Sequence, residues 1–196
     1  MLKPSNRTLL LITVKVNIDV LIARGYALEQ VKKNRAGLRY GEVEAVLASM
    51  FCIYPGDLKA FRAKLRHMRN IGIPSGLGEP GKGAVLRFSK QQVLEMLISL
   101  DLQDSGWAPY DTSSSAKEMA QAWKDEQFSG AEVYGVMGRH IVGNALAQKF
   151  QLVICKGTQK AIDMITQDHM ARLSTIINIT ASAKALDEQL GAALWS

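Results

Sequence analysis

Only two cysteines occur in the 196 residues, Cys52 and Cys155, far apart and in apolar settings. A disulfide framework or a zinc cluster needs more than this. Both read as small buried hydrophobes in a reducing, cytoplasmic setting. Three histidines, His67, His140 and His169, show no metal-ligand spacing. There is no nucleophile elbow, no H-E-x-x-H and no Rossmann fingerprint. Asp163, Asp168 and His169 read as the surface end of a helix. The expectation is therefore a protein that is not an enzyme, with no metal and no cofactor. Long hydrophobic runs are missing too. Leu9 to Val14 is the start of one, but Lys15, Asn17 and Asp19 interrupt it. It is too short and too charged to span a membrane. With Lys3 and Arg7 ahead of it, it has the look of a signal peptide, yet no small-residue cleavage site comes after it.

What is present is apolar and basic. Hydrophobic residues make up 47%, enough to expect a buried core. Lys and Arg exceed Asp and Glu by 24 to 18, for a net charge of +6. This permits a nucleic-acid partner without requiring one. The excess is local: eight basic residues lie between Lys59 and Lys90, against the single acid Glu79.

That region has a recognisable order. Val14, Val16, Ile18 and Val20 alternate with polar residues and read as a half-buried strand, and Tyr26 to Ala36 as a short helix. Val43, Val46, Leu47 and Met50 keep helical spacing from Gly41. Tyr54-Pro55-Gly56-Asp57 reads as a turn, with Asp57 placed to cap the next helix. From Asp57 to Ile73, Leu58, Phe61, Leu65 and Met68 form one apolar face, and Lys59, Arg62, Arg66 and Arg69 a basic stripe beside it. Two helices joined by so short a turn make a helix-turn-helix.

The glycine-rich stretch Gly72 to Gly83 excludes helix and reads as a loose hairpin, or wing, with Lys82 near its tip and Arg87 on its return strand. A phosphate loop is the competing reading of Gly76 to Lys82. Gly83 stands where the magnesium-binding hydroxyl would be, and Pro80 removes a backbone donor, so the wing is preferred. Ser89 to Leu102 reads as a capped helix with Val93, Met96, Leu97 and Leu100 on its apolar stripe.

The stretch Leu65-Arg66-His67-Met68-Arg69-Asn70-Ile71-Gly72-Ile73-Pro74 resembles the end of the recognition helix in MerR-type winged helix-turn-helix proteins. There Leu-Arg-Tyr-Tyr-Glu precedes Gly-Leu and a proline. Leu86-Arg87-Phe88-Ser89, with Val93, Leu97, Leu100 and Gly106 beyond it, resembles that family's arginine-aromatic-serine segment and next helix. His67, Met68 and Arg69 depart from the family's tyrosine pair and acid. The resemblance spans residues 41–106. It implies that the basic helix enters the major groove and that Arg87 and the wing hold the DNA backbone.

Beyond Tyr110 the composition changes. Asp111 to Ser115 reads as a polar linker or cap, and Ala116 to Trp123 as a short helix. Ala131 to Ile141, Phe150 to Cys155 and Leu173 to Ile179 read as strands; Thr158 to Thr166 and Thr180 to Leu194 read as helices. The expected class is α+β: an N-terminal segment (1–39), a winged helix-turn-helix (40–107), a linker (108–129) and a small α/β module (130–196). A module of that size has a small core, which together with paired DNA half-sites suggests a homodimer. The expected function is a cytoplasmic, sequence-specific binder of double-stranded DNA, most simply a transcription regulator. The expected contacts are Lys59, Arg62, Lys64, Arg66, Arg69, Lys82, Arg87 and Lys90. Two alternatives remain: an excisionase-like or plasmid-partition architectural factor, and a protein-interaction module that binds no DNA.

Overall fold

The computed structural model describes residues 37–77, 85–126, 130–142, 147–167 and 171–191. The expected strand and helix before Ala36, the phosphate-loop pattern at 76–82 and the wing tip with Lys82 lie wholly or partly outside these residues. The fold is α+β. Strand β1 (Leu38–Arg39) leads into helix α1 (Tyr40–Met50), and a single 3-10 turn (Pro55–Asp57) into helix α2 (Leu58–Asn70). Strand β2 (Arg87–Phe88), helix α3 (Lys90–Asp104) and helix α4 (Pro109–Glu126) come next. The C-terminal part is β3 (Val133–Val142), β4 (Ala147–Lys156), α5 (Thr158–Gln167), β5 (Ala171–Asn178) and α6 (Ile179–Leu190).

Helix α3 is the centre. Ser89 caps it, accepting from the Gln92 N–H while Gln92 reaches back to the Ser89 N–H. The expected stripe of Val93, Met96, Leu97 and Leu100 is buried, but so are Leu94, Ile98 and Leu102 on the remaining sides. A helical stretch buried on all its sides, as Val93 to Leu100 is, belongs inside a protein. Its neighbours are α4, α6 and β5. Two polar groups are buried with it, and both are bonded. Ser99 Oγ meets Thr112 Oγ1 at 2.7 Å, and Glu95 accepts from the backbone N–H and hydroxyl of Ser75. Burial pushes the Glu95 carboxyl above its ordinary value, against the pull of the Ser75 donors.

The linker expected at 108–129 is corrected here, because most of it is α4, an 18-residue helix. Its polar first turn stays helical because the hydroxyls have partners. Thr112 Oγ1 bonds the Pro109 carbonyl as well as Ser99, and Ser115 is buried. Ala116, Met119 and Ala120 supply the apolar side.

The sheet runs β4-β3-β5, antiparallel throughout. One face carries Val133, Met137 and Ile177 into the main core. Gly135 on that face has no side chain because Met119 of α4 lies on it: a Cβ there would sit 2.4 Å from the Met119 methyl. The opposite face carries Tyr134, Val136 and Cys155 against Ala161 of α5. Trp107 Nε1 donates to Thr175 Oγ1 and ties the α3–α4 corner to β5. Cys52 is exposed at a left-handed position, φ 51°, and not buried as its apolar surroundings suggested.

One cluster of buried residues therefore runs from Leu38 to Leu190. The division drawn at 108–129 runs through this packing, and the small-core motive for a second copy lapses with it.

Asp101 on α3 makes the stability depend on pH. Burial, aided by the charge of Asp104, pushes its carboxyl up to about 7. Between pH 4 and pH 7 the folded chain then holds a proton that the unfolded chain has released, so this group's contribution to stability falls as pH rises and levels off above pH 7. Asp101→Asn keeps the shape and removes the titration. In urea unfolding at pH 5 and pH 8, its gain over wild type should widen toward pH 8; a gap independent of pH would contradict the assignment.

Candidate nucleic-acid interface

Helix α1 buries Val43, Val46, Leu47 and Ala48. It ends where the Ile53 N–H returns to the Ala48 carbonyl at 2.9 Å, and Pro55 opens the next turn. Asp57 sits at the start of α2 without a side-chain capping bond, so the expected cap is corrected: its αR backbone continues the preceding 3-10 turn into the helix. Helix α2 buries Phe61, Leu65 and Met68, with Leu58 half-buried. The basic stripe consequently faces away from the core.

The cations on that stripe are not equivalent. Arg62 Nε donates to Glu44 of α1 at 2.6 Å, though its side chain stays 54% exposed. The Arg69 guanidinium lies over the Tyr40 ring, 5.1 Å from its centre. Burial raises the Tyr40 phenol above its ordinary value, opposed by the nearby Arg69 charge. Lys64 reaches the other flank and pairs with Asp104 of α3 at 2.9 Å. Lys59 is exposed, and so is Arg66, whose only side-chain bond among the described residues is a long one of 3.5 Å to the Arg62 carbonyl. His67 meets the ring of the exposed Tyr110 edge-on, 6.4 Å away.

Two expected contacts are placed elsewhere. Arg87 lies on β2, whose partner among the described residues is β1, paired Leu38 to Phe88 and Arg39 to Arg87. The return strand of the glycine-rich loop is thus joined to the strand before α1. Arg87 donates to the Gly37 carbonyl at 3.1 Å, and Gly37 itself must lack a side chain because a Cβ would stand 2.7 Å from the Phe88 carbonyl oxygen. Lys90 points into the structure. Its ammonium bonds Asp187 of α6 at 2.6 Å and sits 4.5 Å above the Trp123 ring of α4. It joins three helices, so its charge is already engaged within the chain.

The loop after α2 is fixed at its root. Ser75 donates twice to Glu95, and Gln92 Nε2 donates to the Ser75 carbonyl. The partners Glu44, Asp104, Asp187 and Glu95 lie outside the expected set, because no local pattern in the sequence marks them. Asn70 lies outside it too, although its spacing from Lys59 places it on the outer line of α2.

No protein-family model matches the chain, and no curated protein matches it. What the fold defines is a class: an α+β protein with one core, presenting a basic helix at its surface.

Lys90→Ala should cost about 1–2 kcal/mol of stability by stranding Asp187 and losing the Trp123 contact, as read by urea unfolding. Lys59→Ala should cost less than about 0.5 kcal/mol in the same assay. Equal effects would contradict the distinction between tie and surface cation.

Proposed function

We propose that the chain is a sequence-specific binder of double-stranded DNA, working as a transcription regulator in the cytoplasm. In this reading α1, the Pro55–Asp57 turn and α2 are the helix-turn-helix, and α2 lies in the major groove. The observation that carries it is the pair Lys59 and Arg66. Both stand on the outward side of a helix whose inward side is locked in the core, and neither pairs with an acid among the described residues. Phosphate contacts gain by releasing condensed counterions, and only cations without an intramolecular acid supply that gain in full. Arg62 adds a partly neutralised charge at the edge of the same surface.

The MerR-like order of the sequence supports the same reading. Within it, Arg87 braces the root of the wing through Gly37, and the Glu95–Ser75 bonds hold the loop against α3. Two copies on a two-fold site would present two such helices.

The test is fluorescence anisotropy with labelled duplexes over a salt series, using wild type, Lys59→Ala/Arg66→Ala and Lys64→Ala. The double variant should flatten the slope of log affinity against log salt by roughly 2, and Lys64→Ala by far less. Duplex bending or filament growth would favour the architectural role. Wild type that binds no duplex, or a double variant with an unchanged slope, would contradict DNA binding through α2 and favour the interaction module.

A further inference from the structure

We propose that the outer ridge of α2 reads base edges, with Arg66 set for guanine and Asn70 for adenine, a step that rests on the duplex-DNA reading above. Lys59, Ala63, Arg66 and Asn70 keep i, i+4, i+7, i+11 spacing, which lays them in one line along a helix. All four are exposed. Their line lies away from the side that buries Phe61, Leu65 and Met68. Both flanks of the ridge are engaged: Arg62 and Arg69 by Glu44 and Tyr40 of α1, and Lys64 by Asp104 of α3. The ridge itself carries no acid, and its one side-chain bond among the described residues is the long contact from Arg66 to the Arg62 carbonyl.

The chemistry along this line differs from that of a plain phosphate-binding stripe. Only Lys59 is a point charge. The Arg66 fork matches the paired acceptors O6 and N7 of guanine in the major groove. The Asn70 amide, one donor beside one acceptor, matches N6 and N7 of adenine. Ala63, between Lys59 and Arg66, is only a methyl, so the backbone can come close to the groove floor there. The line rises about 16 Å from Lys59 to Asn70, at 1.5 Å per residue. That is roughly four or five base-pair steps of 3.4 Å.

Base reading also needs a rigid mount. The Ile71 N–H bonds the His67 and Met68 carbonyls, and the Gly72 N–H bonds the Arg69 carbonyl, closing the last turn under Asn70. Five residues beyond Asn70, Ser75 is held by the buried Glu95. The helix end that presents Asn70 is thereby anchored to α3.

Selection of binding sites from randomised duplexes by the full chain tests this, with wild type, Asn70→Ala, Arg66→Lys and Lys59→Ala compared. Wild type should select a motif holding a guanine and an adenine within five base pairs. Asn70→Ala should lose the preference for adenine by roughly ten- to a hundredfold, with its salt slope unchanged. Arg66→Lys keeps the charge, so it should keep the slope and lose the guanine. Lys59→Ala should weaken every duplex alike. Wild type that binds duplexes in a salt-dependent way without sequence preference, or Asn70→Ala that selects the wild-type motif, overturns the ridge and leaves the DNA reading standing. Wild type with no salt-dependent binding overturns both.

Discussion

The burial of the middle of α3, Val93 to Leu100, on every side is the constraint on which the rest depends. Leu94, Ile98 and Leu102 are as deeply covered as Val93, Met96 and Leu100. Every residue from Val93 to Leu100 is buried, so that middle stretch of the helix must be surrounded, and α4, α6 and β5 do part of the surrounding. Once they are in place, the sheet has to lie where Val133, Met137 and Ile177 join the same cluster. The N-terminal helices and the C-terminal sheet are thus two coverings of one core. Hydrophobic burial at roughly 25 cal/mol per Å² favours this joint burial over two separate small cores.

The same constraint decides which charges face outward. Phe61, Leu65 and Met68 hold α2 to the core, so its cations lie on the outside and along the flanks. Those on the flanks meet partners supplied by the elements that make the core: Glu44 and Tyr40 from α1 and Asp104 from α3. Lys90, at the start of the buried helix, is drawn to Asp187 and Trp123. Charge pairing and hydrophobic burial together reduce a broad basic stretch to a narrow line.

Local features are legible in the sequence. The Ser89 cap with Gln92, the apolar side of α2 and the strand character of β3, β4 and β5 each depend on residues within one or two turns or pleats. What is not legible is non-local. Arg62 and Glu44 are 18 residues apart, and Lys90 and Asp187 are 97 apart, so no periodicity reveals either pair. The start of α4 escapes a sequence reading for a related reason. A threonine and three serines in a row have weak helix preference and compete for backbone bonds. Ser99, thirteen residues earlier, supplies the partner that lets Thr112 sit buried in the helix. The partner of β2 is likewise out of reach, since the strand that pairs with Arg87 and Phe88 precedes α1.

In the proposed function, the outward line of α2 is the principal surface that meets duplex DNA. NMR of the nitrogen-15-labelled chain during titration with duplex tests it most directly. The Arg66 Nε resonance and the amides from Lys59 to Asn70 should shift with added duplex and return with added salt, while α5, α6 and the sheet stay still. Shifts that gather on the sheet or on α5, with α2 unmoved, would contradict it.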